Sequence, residues 1–317
     1  MILNKNILFI APQFFGYANI IRKRLQEYGG NIDLFYELPV DYFSKLLLQT
    51  PLRHKVIDRY YEKIAKKLKK SYDSIFVIKG LYIPINFYSL LKDRFPNAEF
   101  IQYHWDDIDL YPKIKQTFGY FDRIYTYNIL DHEKYNLIFR PFFYDESLVG
   151  GESHEKEIDL FFIGSYTKPR MNFILRFFSL IPTKQICSVK YFYINVFTFL
   201  QERLPLKYCN VFCYSKLPYG AMMDYLCRAK TTLDVPYSPQ QGLTTRSFEA
   251  LGCKTKIITT NKNIVKYDFY NEANICIVDY DSPFVDINWI QKPYKEYSAS
   301  ILQKYTLEKW LEDIFIV

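Results

Sequence analysis

Short apolar runs rich in β-branched and aromatic residues alternate with helical patterns through the first half of the chain. Such runs are typical of strands in a parallel sheet, and the segments between them repeat apolar residues at helical spacing. The predicted strands are Ile7–Ala11, Asp33–Tyr36, Ser74–Ile78, Glu99–Tyr103 and Arg123–Tyr127. The predicted helices are Asn19–Tyr28, Asp41–Leu48, Arg53–Lys70, Asn86–Arg94 and Tyr111–Thr117. This alternation predicts βαβ units.

The alternation breaks at Asp145–Glu157, where two glycines precede a charged run. A second αβ series follows. It begins with a predicted strand and closes with a predicted helix at Leu302–Phe315. Its predicted strands are Ile158–Gly164, Val189–Tyr193, Asn210–Cys213, Thr231–Val235, Lys256–Thr260 and Asn274–Val278. The pattern therefore predicts two successive αβ halves.

The length of 317 residues fits two domains at about 100–200 residues each. We predict an N-terminal domain at 1–145, a linker at 146–157, a C-terminal domain at 158–300 and a final helix at 301–317 that packs back on the N-terminal domain. The class is α/β, with two doubly wound halves. In such proteins ligands bind at the carboxyl ends of strands and in clefts between domains.

Charge changes this picture at one predicted helix. The chain has a net charge of +7, and Arg53–Lys70 alone carries eight Lys or Arg against two acidic residues. A solvated amphipathic helix explains the pattern, with its cations opposite an apolar face. The alternative is a cationic surface that meets anionic lipid or an anionic lipid-linked substrate. No recognisable nucleic-acid motif surrounds it, so we expect no nucleic-acid partner.

The chain start and the cysteines favour a reducing cytoplasm. The first apolar run is too short for a signal peptide, and no apolar run reaches the roughly 18 residues of a membrane span. The cysteines lack zinc-type spacing and are expected to be buried thiols. They are Cys187, Cys209, Cys213, Cys227, Cys253 and Cys276.

The segment Leu233–Asn261 is the richest in polar residues that follow a predicted strand. Its strand ends near Asp234, and a Pro/Ser/Gln/Gly loop then leads into a helix. Backbone N–H groups at such a helix start, with the Thr244 and Thr245 hydroxyls, form an anion site that suits a diphosphate. One turn later, Glu249 can accept hydrogen bonds from ribose hydroxyls. An ordinary N-cap and a solvated helix face are the alternatives.

This segment resembles the donor-binding segment of GT-B glycosyltransferases. Retaining members of that fold often carry a Glu, a Gly-rich loop and a second Glu eight positions later, followed by small residues. Glu249–Cys253 matches the second half, and Gln241 stands in place of the first Glu. The resemblance implies that Glu249 binds the ribose, while the uncharged Gln241 leaves retention or inversion open. The implied donor-binding residues are Gln241, Gly242, Leu243, Thr244, Thr245, Arg246 and Glu249.

A strand, a glycine turn and a basic helix start follow one another in Asp159–Arg170. Gly164 permits close approach of the backbone, and the Arg170 guanidinium suits phosphate oxygens. The opening strand and glycine loop of a GT-B C-terminal domain are similar. Gly164, Ser165 and Arg170 are therefore added to the predicted donor site.

Three segments of the N-terminal half widen the resemblance: Phe76–Gly80, Tyr103–Asp107 and Phe121–Tyr125. They resemble bacterial glycosyltransferases of the spore-maturation (CgeB-like) and surface-polysaccharide type. Together with the Gln-Gly-Leu-Thr-x-Arg-x-Phe-Glu-Ala-Leu-Gly block, this motif order covers most of the chain. The resemblance implies a GT-B fold of two Rossmann-like domains facing a central cleft. The C-terminal domain would hold a nucleotide-sugar donor and the N-terminal domain the acceptor.

An inverting transferase needs a base that takes the proton of the acceptor hydroxyl. His104, Asp106 and Asp107 follow a predicted strand and are the best candidates, although each can equally cap the next helix. Lys79 follows another strand and can neutralise a departing diphosphate or extend into solvent.

The loop after the first strand carries the predicted acceptor-side residues Gln13 and Tyr17, for which loop packing is the alternative. The same loop lacks the glycine spacing of a dinucleotide site, which disfavours a dehydrogenase. Asp106–Asp109 matches a Mg²⁺ pattern only loosely. Because GT-B enzymes stabilise the leaving group with helix dipoles and cations, we expect no metal and no cofactor.

The leading hypothesis is a cytoplasmic glycosyltransferase that uses a nucleotide-diphosphate sugar, with UDP-sugar as the first choice. Its acceptor would be a cell-surface glycan such as lipopolysaccharide, capsule or another lipid-linked saccharide, met at the inner membrane face. A nucleotide-sugar epimerase or a glycerol-phosphate-type transferase is the second hypothesis. A non-catalytic glycan-binding protein is the third.

Overall fold

The computed structural model describes residues 3–149, 155–181, 186–204, 210–215, 217–236 and 240–315. Contacts divide the chain into two compact units. Unit 1 comprises Met1–Pro141 with Trp310–Val317, and unit 2 comprises Phe142–Lys309. Part of the predicted linker, 150–154, lies outside the described residues, as does Cys209.

Unit 1 is built on a parallel sheet of six strands in the order β2-β1-β3-β4-β5-β6. The strands are β1 Asn6–Ala11, β2 Asn31–Tyr36, β3 Ser74–Ile78, β4 Glu99–His104, β5 Arg123–Thr126 and β6 Ile138–Phe139. The α-helices are α1 Tyr17–Glu27, α2 Tyr42–Leu47, α3 Arg53–Lys67, α4 Ile85–Arg94 and α5 Ile129–Tyr135. β1 and β3 are almost wholly buried, as near-continuous apolar runs in a covered parallel sheet should be.

Unit 2 has a second parallel sheet, in the order β12-β11-β10-β7-β8-β9. Its strands are β7 Ile158–Ser165, β8 Ser188–Tyr193, β9 Phe212–Cys213, β10 Ala229–Asp234, β11 Lys256–Thr259 and β12 Ile275–Ile277. Its helices are α6 Lys168–Leu180, α7 Val196–Gln201, α8 Tyr219–Cys227, α9 Thr245–Gly252, α10 Ile287–Gln291 and α11 Ala299–Lys304. The predicted α/β architecture with two parallel sheets is confirmed.

The last helix, α12 Leu307–Phe315, contributes its final residues to unit 1. Trp310 is fully buried, with its ring centroid 4.9 Å from that of Tyr103 and 6.1 Å from that of Phe76. Arg140 Nε lies 3.0 Å from Asp313 Oδ2 and fixes the same helix by charge. The sheet of unit 1 therefore owes part of its covering to the chain end.

Three predicted helices differ from the structure. The segment predicted as Tyr111–Thr117 is a 3₁₀ helix at Pro112–Tyr120, and the Thr117 hydroxyl donates to the Ile114 carbonyl at 2.8 Å. Such a bond competes with the α-helical pattern. The helix predicted as Arg53–Lys70 ends at Lys67, so its last cations do not lie on a helical face.

The predicted C-terminal helix is split into α11 and α12. The Tyr144 N–H donates to the Tyr305 carbonyl at 2.9 Å, and the Leu307 N–H donates to the Tyr144 carbonyl at 2.9 Å. This β-bridge takes backbone groups that a continuous helix would use for itself. The helix therefore stops and restarts around Thr306.

Candidate functional site

Each sheet reverses its strand order at one point, and ligands of doubly wound sheets bind there, beyond the carboxyl ends of the strands. In unit 2 the reversal falls between β7 and β10. In unit 1 it falls between β1 and β3. The residues that follow these strands therefore form the candidate site of each unit.

In unit 2, the start of α9 is fixed to the end of β10 through Asp234. The Thr244 hydroxyl donates to Asp234 Oδ1 at 2.8 Å, and the Ser247 hydroxyl donates to Oδ2 at 2.6 Å. Thr244 is also the N-cap of α9, because its Oγ1 accepts the Arg246 N–H at 3.1 Å. Burial raises the pKa of the Asp234 carboxyl. The sequence prediction missed Asp234, although a carboxyl at a strand end was the available signal.

Glu249 is fully buried, and its Oε2 lies 3.0 Å from Arg246 Nη1 one turn earlier on α9. The alternative of a solvated helix face is therefore wrong for Glu249. A buried carboxylate needs such a partner, because desolvation of an unpaired charge is costly. Its role toward a ribose stays a prediction.

The loop before α9 is held by two asparagines that follow β11. Asn261 Nδ2 donates to the carbonyls of Gln241 and Gly242 at 3.0 and 3.1 Å, and Asn263 Nδ2 donates to the Gln241 carbonyl at 3.1 Å. The Gln241 side chain is exposed. Leu243 is 1% exposed and packs in the core. Residues 237–239 of this loop lie outside the described residues.

Gly164 and Ser165 are the last two residues of β7 and pair with β8, so the predicted glycine turn is part of the strand. Arg170 Nη1 donates to the Ser165 carbonyl at 2.9 Å, and Thr167 caps α6 by accepting the Arg170 N–H. A Cβ on Gly164 would lie 3.0 Å from Cζ of Phe162, so a larger residue would require that ring to shift. The positive charges of Arg170 and Arg246 both lower the pKa of Asp234 against the larger effect of burial.

The structure thus brings the two predicted donor segments of unit 2 together. The starts of α6 and α9 follow strands that are paired with each other, and both carry an arginine. Two helix N-termini with two guanidinium groups attract an anion through dipole and charge alike. The arrangement is chemically suited to a diphosphate.

In unit 1, Lys79 and Asp106 form an ion pair with Nζ and Oδ2 2.5 Å apart. Lys79 and Gly80 both have positive φ, 71° and 85°, so the chain turns sharply after β3. The Gln102 amide donates to the Lys79 carbonyl at 3.1 Å and holds this turn. The predicted cation and one predicted base are therefore direct partners.

His104 and Asp107 have different surroundings. His104 is 3% exposed, and burial lowers its pKa to about 3, so the ring is neutral at physiological pH. Its Nε2 has no hydrogen-bond partner within the described residues. Asp107 Oδ1 accepts hydrogen bonds from the Tyr127 hydroxyl at 2.5 Å and from the Asn128 amide at 3.0 Å. Both hydrogen bonds use the same carboxylate oxygen of Asp107 and hold the chain after β4 against Tyr127 and Asn128.

Lys79, His104, Asp106 and Asp107 all line one small cavity, which has room for about one water molecule. The structure therefore gathers the predicted catalytic residues at the carboxyl ends of β3 and β4. Trp105 and Tyr111 also line this cavity and give it an aromatic wall.

Glu37, just after β2, is an ionisable residue that the sequence prediction missed. It is 2% exposed, and its Oε1 accepts the Tyr82 N–H at 2.8 Å. Burial raises its pKa to about 7, opposed by the Tyr82 hydrogen bond and the charge of Lys79. A single glutamate after a strand gave no sequence signal for such burial.

The two predicted acceptor-side residues differ in exposure. Gln13 is exposed, whereas Tyr17 is 4% exposed and packs against Trp105, with ring centroids 5.3 Å apart. Phe14 is 40% exposed and lies 6.4 Å from Trp105, edge to face. Phe14 presents more ring surface to solvent than Tyr17 does.

The described residues contain no group of three or more His, Cys, Asp or Glu side chains placed to hold a metal ion. Asp109 of the loose Mg²⁺ pattern pairs with Lys134 at 2.6 Å, while Asp106 pairs with Lys79. Two of the three carboxylates of that pattern thus have separate cationic partners.

The expectation of buried thiols is wrong for the five cysteines that the structure describes. Cys227 at the end of α8 and Cys253 after α9 form a disulfide. Cys187 is exposed, and Cys213 and Cys276 are half-buried. Helix packing brings together two cysteines that lie 26 residues apart in the sequence. Within the described residues, every helix is too short or too polar to cross a bilayer.

No protein-family profile and no curated protein matches this chain. Solved structures do match. An alpha-glucosyltransferase in complex with UDP-glucose and DNA containing an abasic site is 13% identical, with a TM-score of 0.59 over 98% of this chain and 95% of that one. The chain has a GT-B fold. Anabaena HepE in complex with UDP and glucose gives 10% identity and a TM-score of 0.60 over 98% of both chains. AviGT4, a glycosyltransferase involved in avilamycin A biosynthesis, is 12% identical, with a TM-score of 0.57 over 99% of both chains.

Proposed function

We propose that this GT-B protein is a glycosyltransferase that transfers a sugar from a UDP-sugar to a hydroxyl acceptor. The observation that carries the proposal is the pair of helix starts in unit 2, each with an arginine, beside the ion pair of Arg246 with the buried Glu249. Solved structures of similar fold were determined with UDP or UDP-glucose, which supports UDP as the nucleotide.

In this proposal the donor diphosphate lies at the starts of α6 and α9. Arg170 and Arg246 balance the charge that grows on the diphosphate as the bond to the sugar breaks. Glu249 accepts hydrogen bonds from the ribose hydroxyls. Helix dipoles and guanidinium groups supply this stabilisation without a metal, which we propose is dispensable.

The acceptor hydroxyl loses its proton as its oxygen attacks the anomeric carbon, and the UDP leaving group takes the electrons of the broken bond. Asp106 is the proposed base, because Asp107 already accepts two hydrogen bonds and burial lowers the pKa of His104 to about 3, which makes the imidazole a weak base. Lys79, paired with Asp106, orients that carboxylate.

The acceptor is proposed to be a cell-surface glycan such as lipopolysaccharide, capsule or another lipid-linked saccharide, worked on in the cytoplasm at the inner membrane face. The resemblance to CgeB-like and surface-polysaccharide enzymes supports this choice. DNA is the competing acceptor, since one similar structure is an alpha-glucosyltransferase bound to DNA. Acceptor assays therefore include duplex DNA with hydroxymethylated bases.

The first test is a thermal-shift series with UDP, GDP, CMP, ADP and dTDP, with and without Mg²⁺. A nucleotide at 100 times its dissociation constant stabilises the folded protein by about 2.7 kcal/mol. We expect a shift with UDP alone, unchanged by Mg²⁺. A shift with another nucleotide would reject UDP, and no shift with folded protein would favour the non-catalytic glycan-binding alternative.

The second test separates a transferase from an epimerase or a glycerol-phosphate-type transferase. Free UDP should accumulate from UDP-glucose only when a saccharide acceptor is added. Conversion of UDP-glucose to another UDP-hexose without acceptor would indicate an epimerase. Release of a nucleoside monophosphate from an activated glycerol donor would indicate a glycerol-phosphate-type transferase.

A further inference from the structure

The surface formed by α2 and the neighbouring part of α3 exposes large apolar side chains, which a usual protein surface does not. Tyr42 is 85% exposed, Phe43 69% and Leu46 53%. All of α2 is described, and it has no buried residue. A helix that is mostly apolar yet adds nothing to the core marks an interaction surface. We call it the α2 face.

Cations lie beside α2. Lys55, Arg59 and Lys63 of α3 line the same groove as Phe43 and Leu47 of α2. Within the described residues, Lys55 and Arg59 form no salt bridge, so their charges are available to a partner. The α2 face thus combines an apolar ridge with a cationic flank.

One carboxylate also lines the groove, that of Asp41. It is the N-cap of α2 and accepts the Ser44 N–H at 2.8 Å. Its carboxylate already accepts a hydrogen bond within α2, and the groove holds three cations for this one negative charge. The net charge of the groove is positive and suits an anionic partner.

We propose that the α2 face docks on the surface of an anionic lipid bilayer. Tyr42, Phe43 and Leu46 would enter the boundary between headgroups and acyl chains, where aromatic side chains are enriched. The cations of α3 would lie at the level of the lipid phosphates. Apolar insertion and anionic attraction add in such interfacial helices.

Duplex nucleic acid explains the α2 face less well. Its binding is dominated by cation–phosphate contacts, which gain nothing from solvent-exposed leucine and phenylalanine. Single-stranded nucleic acid can use aromatic side chains for stacking, but Leu46 has no part in that. A bilayer uses both halves of the surface at once.

The inference rests on the proposed function only for the reason to dock, because a lipid-linked acceptor would be bound at the membrane. Docking itself needs no donor and is measured without one. Loss of UDP binding would therefore overturn the proposed function and leave docking intact, and the reverse also holds.

The experiment is flotation of the full chain with vesicles of phosphatidylcholine alone or mixed with phosphatidylglycerol. We expect binding to the anionic vesicles that weakens as salt is added. The double variant Tyr42→Ser/Phe43→Ser removes the ridge, and the triple variant Lys55→Gln/Arg59→Gln/Lys63→Gln removes the flank. Each should lower partitioning about tenfold or more.

A matched triple variant, Lys113→Gln/Lys292→Gln/Lys295→Gln, removes three exposed cations elsewhere. It should bind vesicles within about twofold of wild type, since cations act only near the surface. Because α2 buries nothing, the double variant should keep wild-type melting and UDP affinity. Equal binding to neutral and anionic vesicles, or wild-type partitioning of the double variant, would overturn the proposal. Preferential binding to single-stranded or duplex DNA would replace it with a nucleic-acid surface.

Discussion

Glu249 is fully buried, and its contacts define what a substitution would change. Its carboxylate pairs with Arg246 and, in the proposed function, accepts hydrogen bonds from the ribose. We predict that Glu249→Gln lowers UDP affinity by about 1–3 kcal/mol, because hydrogen bonds to a charged group are lost. Titration calorimetry measures this.

The control for that prediction is Glu272→Gln, which neutralises an exposed carboxylate of the same unit. It should leave UDP affinity unchanged. Breaking a buried ion pair costs about 3–5 kcal/mol when one partner is removed, so the unfolding of both variants is measured as well. A folded Glu249→Gln protein with wild-type UDP affinity would remove Glu249 from the donor site.

Glu37 predicts a pH dependence of stability. Its pKa is about 7 in the folded state against 4.5 ordinarily, so the folded state binds the proton more tightly. Stability therefore falls as pH rises from about 4.5 through 7, by up to about 3 kcal/mol for this group. Glu37→Gln removes the titration. Relative to wild type, the variant should gain stability across that range in urea unfolding.

His104 acts in the opposite sense, so wild type alone does not isolate Glu37. Its pKa of about 3 lies below the ordinary 6.5, and stability is lost as pH falls through that range. The difference between wild type and Glu37→Gln cancels this contribution. Glu62→Gln, which neutralises an exposed carboxylate of α3, is the control variant. A flat difference for Glu37→Gln would mean that Glu37 has the same pKa in the folded and unfolded states, which would contradict the prediction.

At the scale of the element, α9 depends on its first residues. Thr244 caps the helix and donates to Asp234, so Thr244→Ala loses both contacts. We predict a loss of about 1–2 kcal/mol in the free energy of unfolding. Urea denaturation measures it. Thr244→Ser keeps the hydroxyl and should lose less than half as much. Equal losses for both variants would point to the methyl group rather than the cap.

At the scale of the whole molecule, the chain end belongs to the fold of unit 1. Trp310 is fully buried against Tyr103 and Phe76, so Trp310→Ala leaves a large cavity. We predict a loss of about 3–5 kcal/mol. Hydrogen exchange should show weaker protection in β3 and β4 than in β7 and β10. A uniform loss over both units would contradict this local role.

Much of the architecture follows from local pattern alone. The apolar runs around Ile7–Ala11 and Ser74–Ile78 became central strands, because such runs are stable only when both faces of the sheet are covered. The turn chemistry before Thr245 likewise predicted the start of α9. These features need only a few neighbouring residues.

Element ends were decided by contacts from elsewhere in the chain. α3 stops at Lys67 beside the Arg94 guanidinium of α4, which donates to the carbonyls of Ala65 and Leu68 at 2.9 and 3.2 Å. The C-terminal helix breaks where Tyr144 forms its bridge. Arg94 and Tyr144 are both distant in sequence from the helices that they end, so hydrophobic periodicity could not predict these contacts.

The sequence by itself determined the two αβ halves, the strand ends that carry polar residues and the cationic segment of α3. Only the tertiary structure decided which polar residues meet: Asp234 with Thr244, and Lys79 with Asp106. It also buried Glu37 and left α2 uncovered. The physical reason is that periodicity is a property of neighbouring residues. Burial, charge pairing and pKa depend on groups that the fold brings together from distant parts of the chain.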